Sequence, residues 1–207
     1  MYVITADQRG SRRDVDRVDA TREMLASIDT VRAFDRTAGD EIQAVFDDPV
    51  AVVEALTTLF DDGHWSVGIG AGPVDEPLPL VTRAGRGPAF EYARTAVEDA
   101  KRHRVPVSVH GEHPDACRRA QTAARLLGDL LISRSAAGRE AVAALSTAGQ
   151  QSDAAATLGI TPQAMSQRLR SARWDLDQDS RLLVTDLLAA AEPIDPENQH
   201  RQPRHEG

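Results

Sequence analysis

Apolar and polar positions change period repeatedly along the first 110 residues. Tyr2–Ala6 is a short apolar run ending at Asp7, which predicts a strand. Asp14–Ile28 carries Val15, Val18, Met24, Leu25 and Ile28 at helical spacing. Val31–Thr37 and Glu41–Phe46 alternate on either side of Ala38-Gly39-Asp40, a hairpin signal. Pro49–Phe60 returns to helical spacing through Val52, Val53, Leu56, Leu59 and Phe60. His64–Gly70 alternates as a strand, Pro88–Arg102 reads as a helix, and Val105–Val109 as a last strand. The order is β-α-β-β-α-β followed by one more helix and strand. That pattern predicts a ferredoxin-like split βαβ sheet with its helices on one face. Gly70 to Pro88 is the longest irregular stretch, rich in Gly and Pro, and predicts a flap or a loose hairpin.

Beyond Gly111–Pro114 the pattern becomes helical throughout and rich in Ala, Leu and Arg. Asp115–Ser133 predicts one long amphipathic helix, Arg139–Leu145 opens a helical bundle, and Ser180–Ala191 ends it with apolar residues on more than one face. The last helix is expected to pack on the long one or to pair with a second copy. From Pro193 the composition turns to Pro, His, Gln, Arg and Glu, which cannot bury a core. The expected class is α+β: a ferredoxin-like domain over residues 1–112, an all-α helix-turn-helix domain over 113–192, and a disordered tail over 193–207, with His200 and His205 solvated.

Composition narrows the picture. With 41% hydrophobic and only 4% aromatic residues, the cores must rely on Val, Leu, Ile and Ala. A net charge of −8 argues against indiscriminate coating of nucleic acid, so any contact with DNA must come from a local basic patch. The single cysteine, Cys117, excludes an intramolecular disulfide and reads as a small buried residue. No apolar run approaches about 18 residues, and the chain opens on strand-like residues without a signal-peptide pattern. The expectation is a cytoplasmic protein that does not engage a membrane.

Residues 152–173, SDAAATLGITPQAMSQRLRSAR, hold the densest local signal. Ala155 is small where two helices must approach. Gly159 suits a left-handed bend, Thr161 an N-cap, and Pro162 the first helical position. Met165 and Leu169 repeat on one face, leaving Gln163, Ser166, Gln167 and Arg170 on the other. Those side chains reach base edges and phosphates in a major groove. Gln163, Gln167 and Arg170 are the candidates for base contacts; Thr161, Ser166, Arg168 and Arg173 suit phosphates or helix support. The same letters fit a plain helical hairpin or a protein-docking module. The segment from Leu158 to Arg173 resembles the helix-turn-helix of sigma-factor region 4, and the resemblance implies double-stranded DNA, with RNA polymerase as a further contact.

In a split βαβ sheet the first strand neighbours the hairpin, so Asp7 and Asp40 are expected at one edge, where two carboxylates can hold Mg²⁺. As plain strand-end and turn residues they would be solvated instead. FDRTAGDEIQAVF resembles the hairpin of class III nucleotide cyclases, VGIGAG their following strand, and GPAFEYAR their catalytic helix. The resemblance implies a nucleotide-binding role for Arg94. It also puts Phe90 where that family has an Asn, and Arg36 where an adenine-selecting Lys often stands, which implies that turnover is lost. Over residues 1–110, YVITAD, TAGDEIQ, GIGAG and GRGPAFEYAR resemble the SatD family, bacterial proteins with a cyclase-like ferredoxin fold that often carry a C-terminal helix-turn-helix.

Together these readings predict a DNA-binding transcriptional regulator and not an enzyme. Its cyclase-like domain would sense or dimerise, and two copies would sit on adjacent half-sites as a homodimer. A divergent nucleotide-binding or cyclase-like enzyme using Asp7 and Asp40, and a protein-interaction adaptor, are the alternatives.

Overall fold

A computed structural model of the chain describes residues 1–192. The tail expected to be disordered at 193–207, with His200 and His205, lies outside the described residues. Five strands, β1 (Tyr2–Gln8), β2 (Arg32–Arg36), β3 (Glu41–Phe46), β4 (Trp65–Ala71) and β5 (Val107–Gly111), form one sheet in the order β2-β3-β1-β4-β5. Every pairing is antiparallel except β4 with β5. Helices α1 (Val18–Leu25), α2 (Pro49–Asp62) and α3 (Pro88–Ala100) link the strands; α4 (Pro114–Ile132), α5 (Ala136–Ala148), α6 (Gln151–Thr157), α7 (Pro162–Ser171) and α8 (Trp174–Ala189) follow. The class is α+β.

The element boundaries follow local chemistry. The first helix starts at Val18 and not at Asp14 because the buried Gln8 side chain takes hold of the preceding loop: it donates to the Val15 carbonyl at 2.7 Å and accepts from the Arg17 amide at 3.0 Å. Asp48 caps α2 by accepting from the Val50 amide at 2.8 Å, and Gly63, with φ of 77°, ends it.

Strand periodicity divides the sheet into two faces. Tyr2, Ile4 and Ala6 of β1, with Val67 and Ile69 of β4, join one apolar cluster that includes α1, α2, α4 and α8. Val3 and Val45 face the other way, onto Ala89, Phe90 and Ala93 of α3. The helices therefore cover both faces, which corrects the expectation of a one-sided sheet. β4 explains why α3 can lie there. A Cβ on Gly68 would sit 2.2 Å from the Val97 nitrogen, and one on Gly70 would sit 2.0 Å from the Ala89 carbonyl oxygen. The glycines of VGIGAG are thus the groove into which the α3 backbone packs.

β3, β4 and β5 run in the same direction, and the chain steps one way across the sheet from each to the next. α2 and α3 make those steps on opposite faces, so the two crossovers have opposite hand, against a strong preference for one. That preference arises when a twisted strand feeds directly into its helix. Residues 72–87 intervene before α3 and remove the coupling. The segment lies along the α3 face toward β2: Arg32 donates to the carbonyls of Pro79 and Leu78 at 2.6 and 2.9 Å, and Thr82 to that of Ala33 at 2.7 Å. Val74 and Leu78 pack onto the Val3–Phe90 cluster.

The boundary expected between residues 112 and 113 falls at the N-cap of α4. The apolar cluster of the sheet continues past it through Cys117, Ala124, Leu127 and Leu131 of α4 to Val184 and Leu188 of α8. The Tyr2 hydroxyl donates to the Leu188 carbonyl at 3.1 Å, fastening α8 to the central strand. α5, α6 and α7 enclose a core of their own between these two helices, built on Ala141, Ala154, Ala155, Met165 and Leu169.

Candidate functional site

The α6–α7 connection is set by backbone hydrogen bonding. The Ile160 amide donates to the Ala155 carbonyl at 3.0 Å and the Gly159 amide to that of Ala156 at 3.1 Å. With Gly159 at φ of 63°, this is a Schellman ending, and Ile160 packs back on the small core that includes Ala154 and Ala155. Thr161 then caps α7 by accepting from the Ala164 amide at 3.1 Å, with Pro162 in the first turn. Met165 is fully buried and Leu169 nearly so. The opposite face of α7 is therefore forced outward.

The seven residues singled out on this segment divide into two groups. Thr161 is engaged in its cap, Ser166 accepts from the Gln151 amide side chain, and Arg168 pairs with Glu140 of α5 at 2.8 Å. These three hold the module together. Gln163, Gln167 and Arg170 are exposed at spacings of four and three residues, so they form one stripe about 10 Å long. Arg173 is exposed just beyond the end of α7. None of these four side chains makes a hydrogen bond or ion pair among the described residues.

Arg173 also has φ of 52° and ψ of 46°, a left-handed conformation that ordinary side chains adopt at a cost of about 1–2 kcal/mol. It forms the corner between α7 and α8. Its carbonyl accepts from the Asp177 amide at 3.0 Å.

Asp7 and Asp40 sit at one end of the β1–β3 pair, where the Gln8 amide donates to the Asp40 carbonyl at 3.0 Å. Lys101, at the end of α3, places its ammonium 3.0 Å from the Asp7 carboxylate and 2.8 Å from that of Glu98. Burial pushes the Asp7 carboxyl up from its ordinary range, Lys101 opposes that, and the neighbouring Asp40 charge adds to it. Lys101 thus engages one oxygen of the Asp7 carboxylate. No cluster of three or more His, Cys, Asp or Glu suited to a metal occurs among the described residues. Arg94 is exposed on α3, Phe90 is buried against Gly85, and Arg36 pairs with Asp16 at 2.5 Å.

Sequence reasoning missed a buried ionic cluster. Asp177 is fully buried, and its two oxygens accept from Arg134 and Arg181, each at 2.6 Å. Arg134 also donates to the Ala172 carbonyl at 3.0 Å, and Arg181 to the Thr57 hydroxyl at 2.8 Å. The cluster ties the α4–α5 turn, α8 and α2 together at the foot of the α5–α7 module. The one local hint was the four-residue spacing of Asp177 and Arg181 on a helix.

No protein-family model, no curated protein and no solved structure matches the chain.

Proposed function

We propose that the chain is a DNA-binding transcriptional regulator, with α6 and α7 as its helix-turn-helix and α7 as the recognition helix. The observation that carries this reading is the exposed stripe of Gln163, Gln167 and Arg170 on a helix whose other face is buried. Gln and Arg have the hydrogen-bonding patterns that read adenine and guanine edges in the major groove. Arg173, at the corner, is placed for a phosphate, and Thr161, Ser166 and Arg168 support the helix.

The sheet domain is the sensor or dimerisation module of this regulator. The order β4-β1-β3-β2, with β5 added at one edge, supports a ferredoxin-like, cyclase-like core. The Asp7–Lys101 pair favours a non-catalytic role for it. A single recognition helix buries little surface, and the protein carries a net charge of −8, so two copies on adjacent half-sites in the cytoplasm complete the reading.

Immunoprecipitation of the protein with crosslinked genomic DNA, followed by sequencing, tests it. Sharp peaks sharing an inverted repeat are expected. On the recovered site, Arg170→Ala should weaken binding by about 1–3 kcal/mol and relax specificity at one position, measured by fluorescence anisotropy at fixed salt. A flat genomic profile, or unchanged affinity in Arg170→Ala, would overturn the assignment.

A further inference from the structure

A cavity of about 460 Å³ opens between the α5–α7 module and the main core. Its size is that of a small-molecule site, which typically spans about 300–1,000 Å³. Asp61 from the end of α2 lines it on one side, Arg139 and Val142 of α5 on another, and Trp174 and Arg181 of α8 complete it, over Arg134.

The charges in this cavity do not all cancel. Arg134 and Arg181 share the single carboxylate of the buried Asp177, which leaves that cluster with one net positive charge. Arg139 donates only to the Arg134 carbonyl, at 2.7 Å, and meets no carboxylate within ion-pair distance among the described residues. Asp61 has neither a hydrogen bond nor an ion pair among them. Desolvation pushes its carboxyl up, while the charges of Arg134, Arg181 and Arg139 pull it down. Asp61 therefore feels Arg139 without touching it. A cation and an anion without direct partners, Arg139 and Asp61, stand on different elements of one cavity, with the indole of Trp174 and the methyls of Val142 also lining it.

We propose that this cavity binds a small zwitterion of the α-amino-acid class with an apolar or aromatic side chain. Its carboxylate pairs with Arg139, its ammonium with Asp61, and its side chain covers Trp174 and Val142. A simple anion would meet the Asp61 carboxylate, and a simple cation would meet three guanidiniums. A ligand carrying both charges pairs with both walls. Because Asp61 lies on α2, which packs on the sheet, and Arg139 on the α5–α7 module, the bound molecule bridges the two. The proposal is independent of the DNA reading, since it concerns neither α7 nor its exposed stripe.

The test uses the full chain. The common amino acids are screened by thermal shift, and L-leucine and L-phenylalanine are then titrated by calorimetry. Binding of at least one apolar or aromatic amino acid, with a raised Tm, is expected. Phenethylamine and 3-phenylpropanoate each lack one charge of phenylalanine and should bind about tenfold or more weakly. Asp61→Asn should erase the preference for phenylalanine over 3-phenylpropanoate, and Arg139→Gln the preference over phenethylamine. Asp61 is exposed at the cavity's edge, so its variant keeps the test meaningful if Arg139→Gln fails to fold. Absence of binding by every amino acid at millimolar concentration would overturn the proposal. So would analogues that bind as well as the parent molecule, or an Asp61→Asn protein that discriminates as the natural chain does.

Discussion

The sheet and its flanking helices bury Tyr2, Ile4, Phe46, Trp65, Ile69, Leu127 and Leu131 almost completely, whereas the α5–α7 module closes over three alanines, Met165 and Leu169. The first is a large continuous core and the second a small one. Residues 136–171 fall in the length range, below about 40 residues, where independent folding usually requires outside support. The module gets its support from the elements on either side of it in the chain. α4 and α8 belong to the sheet's core, and the Arg134–Asp177–Arg181 cluster sits where the module joins them. The larger region owes its stability to area removed from water; the smaller one depends on how its ends are clamped.

The strongest way to break that comparison is to remove the clamp. Asp177→Ala leaves the Arg134 guanidinium buried without its carboxylate. We expect a loss of about 3–5 kcal/mol in urea unfolding. The double replacement Arg134→Met with Asp177→Leu removes the two fully buried charges at once and leaves the partly exposed Arg181 to solvent and Thr57; it should recover most of that loss, because a buried ion pair and a well-packed apolar pair are often close in stability. A loss below about 1 kcal/mol in Asp177→Ala, within the range of an exposed pair, would mean the module stands by other contacts.

The sheet region is sharpened by a substitution with the opposite character. Gly70→Ala puts a methyl 2.0 Å from the Ala89 carbonyl oxygen and 2.5 Å from the Ala93 nitrogen. Both obstacles are backbone, so α3 itself must shift. Overpacking of about 1–3 kcal/mol is expected, read as a lowered urea midpoint. Hydrogen exchange should quicken in α3 and β4 and stay unchanged in α6 and α7. Equal acceleration in both regions would show that the two cores are one cooperative unit.

The same contrast explains what could be read from the sequence. The order of strands and helices up to β5 was legible because alternation and helical spacing are local. The α6–α7 turn was legible for the same reason, since Gly159, Thr161 and Pro162 act within a few residues of themselves. Periodicity says that a face is apolar, and not what it meets. Nothing local therefore placed α3 on the far side of the sheet, although the glycines of β4 were in plain view. Nor did anything local join α4 and α8 to the sheet's core. Charge pairs are still less legible. Asp175, Asp177 and Asp179 look alike in the chain, and only a partner 43 residues away selects Asp177 for burial. Likewise nothing near Asp7 in the chain announces its ion pair with Lys101, at the far end of α3.

The smallest expected effect lies at the corner where α7 leaves the module. Arg173 holds a left-handed backbone that glycine would adopt without strain. Relief of about 1–2 kcal/mol is partly offset by the extra freedom glycine has in the unfolded chain, about 0.5–1 kcal/mol. Arg173→Gly should therefore stabilise the protein by up to about 1 kcal/mol, while Arg173→Ala, which keeps the strain, should not. If Arg173 also contacts a phosphate, both variants weaken DNA binding about equally across sequences and lower the salt slope by about one. Stability and binding would then move in opposite directions at one residue. A glycine variant that is less stable than the natural chain would show that the arginine side chain itself anchors the corner, making the module's attachment tighter than its small core implies.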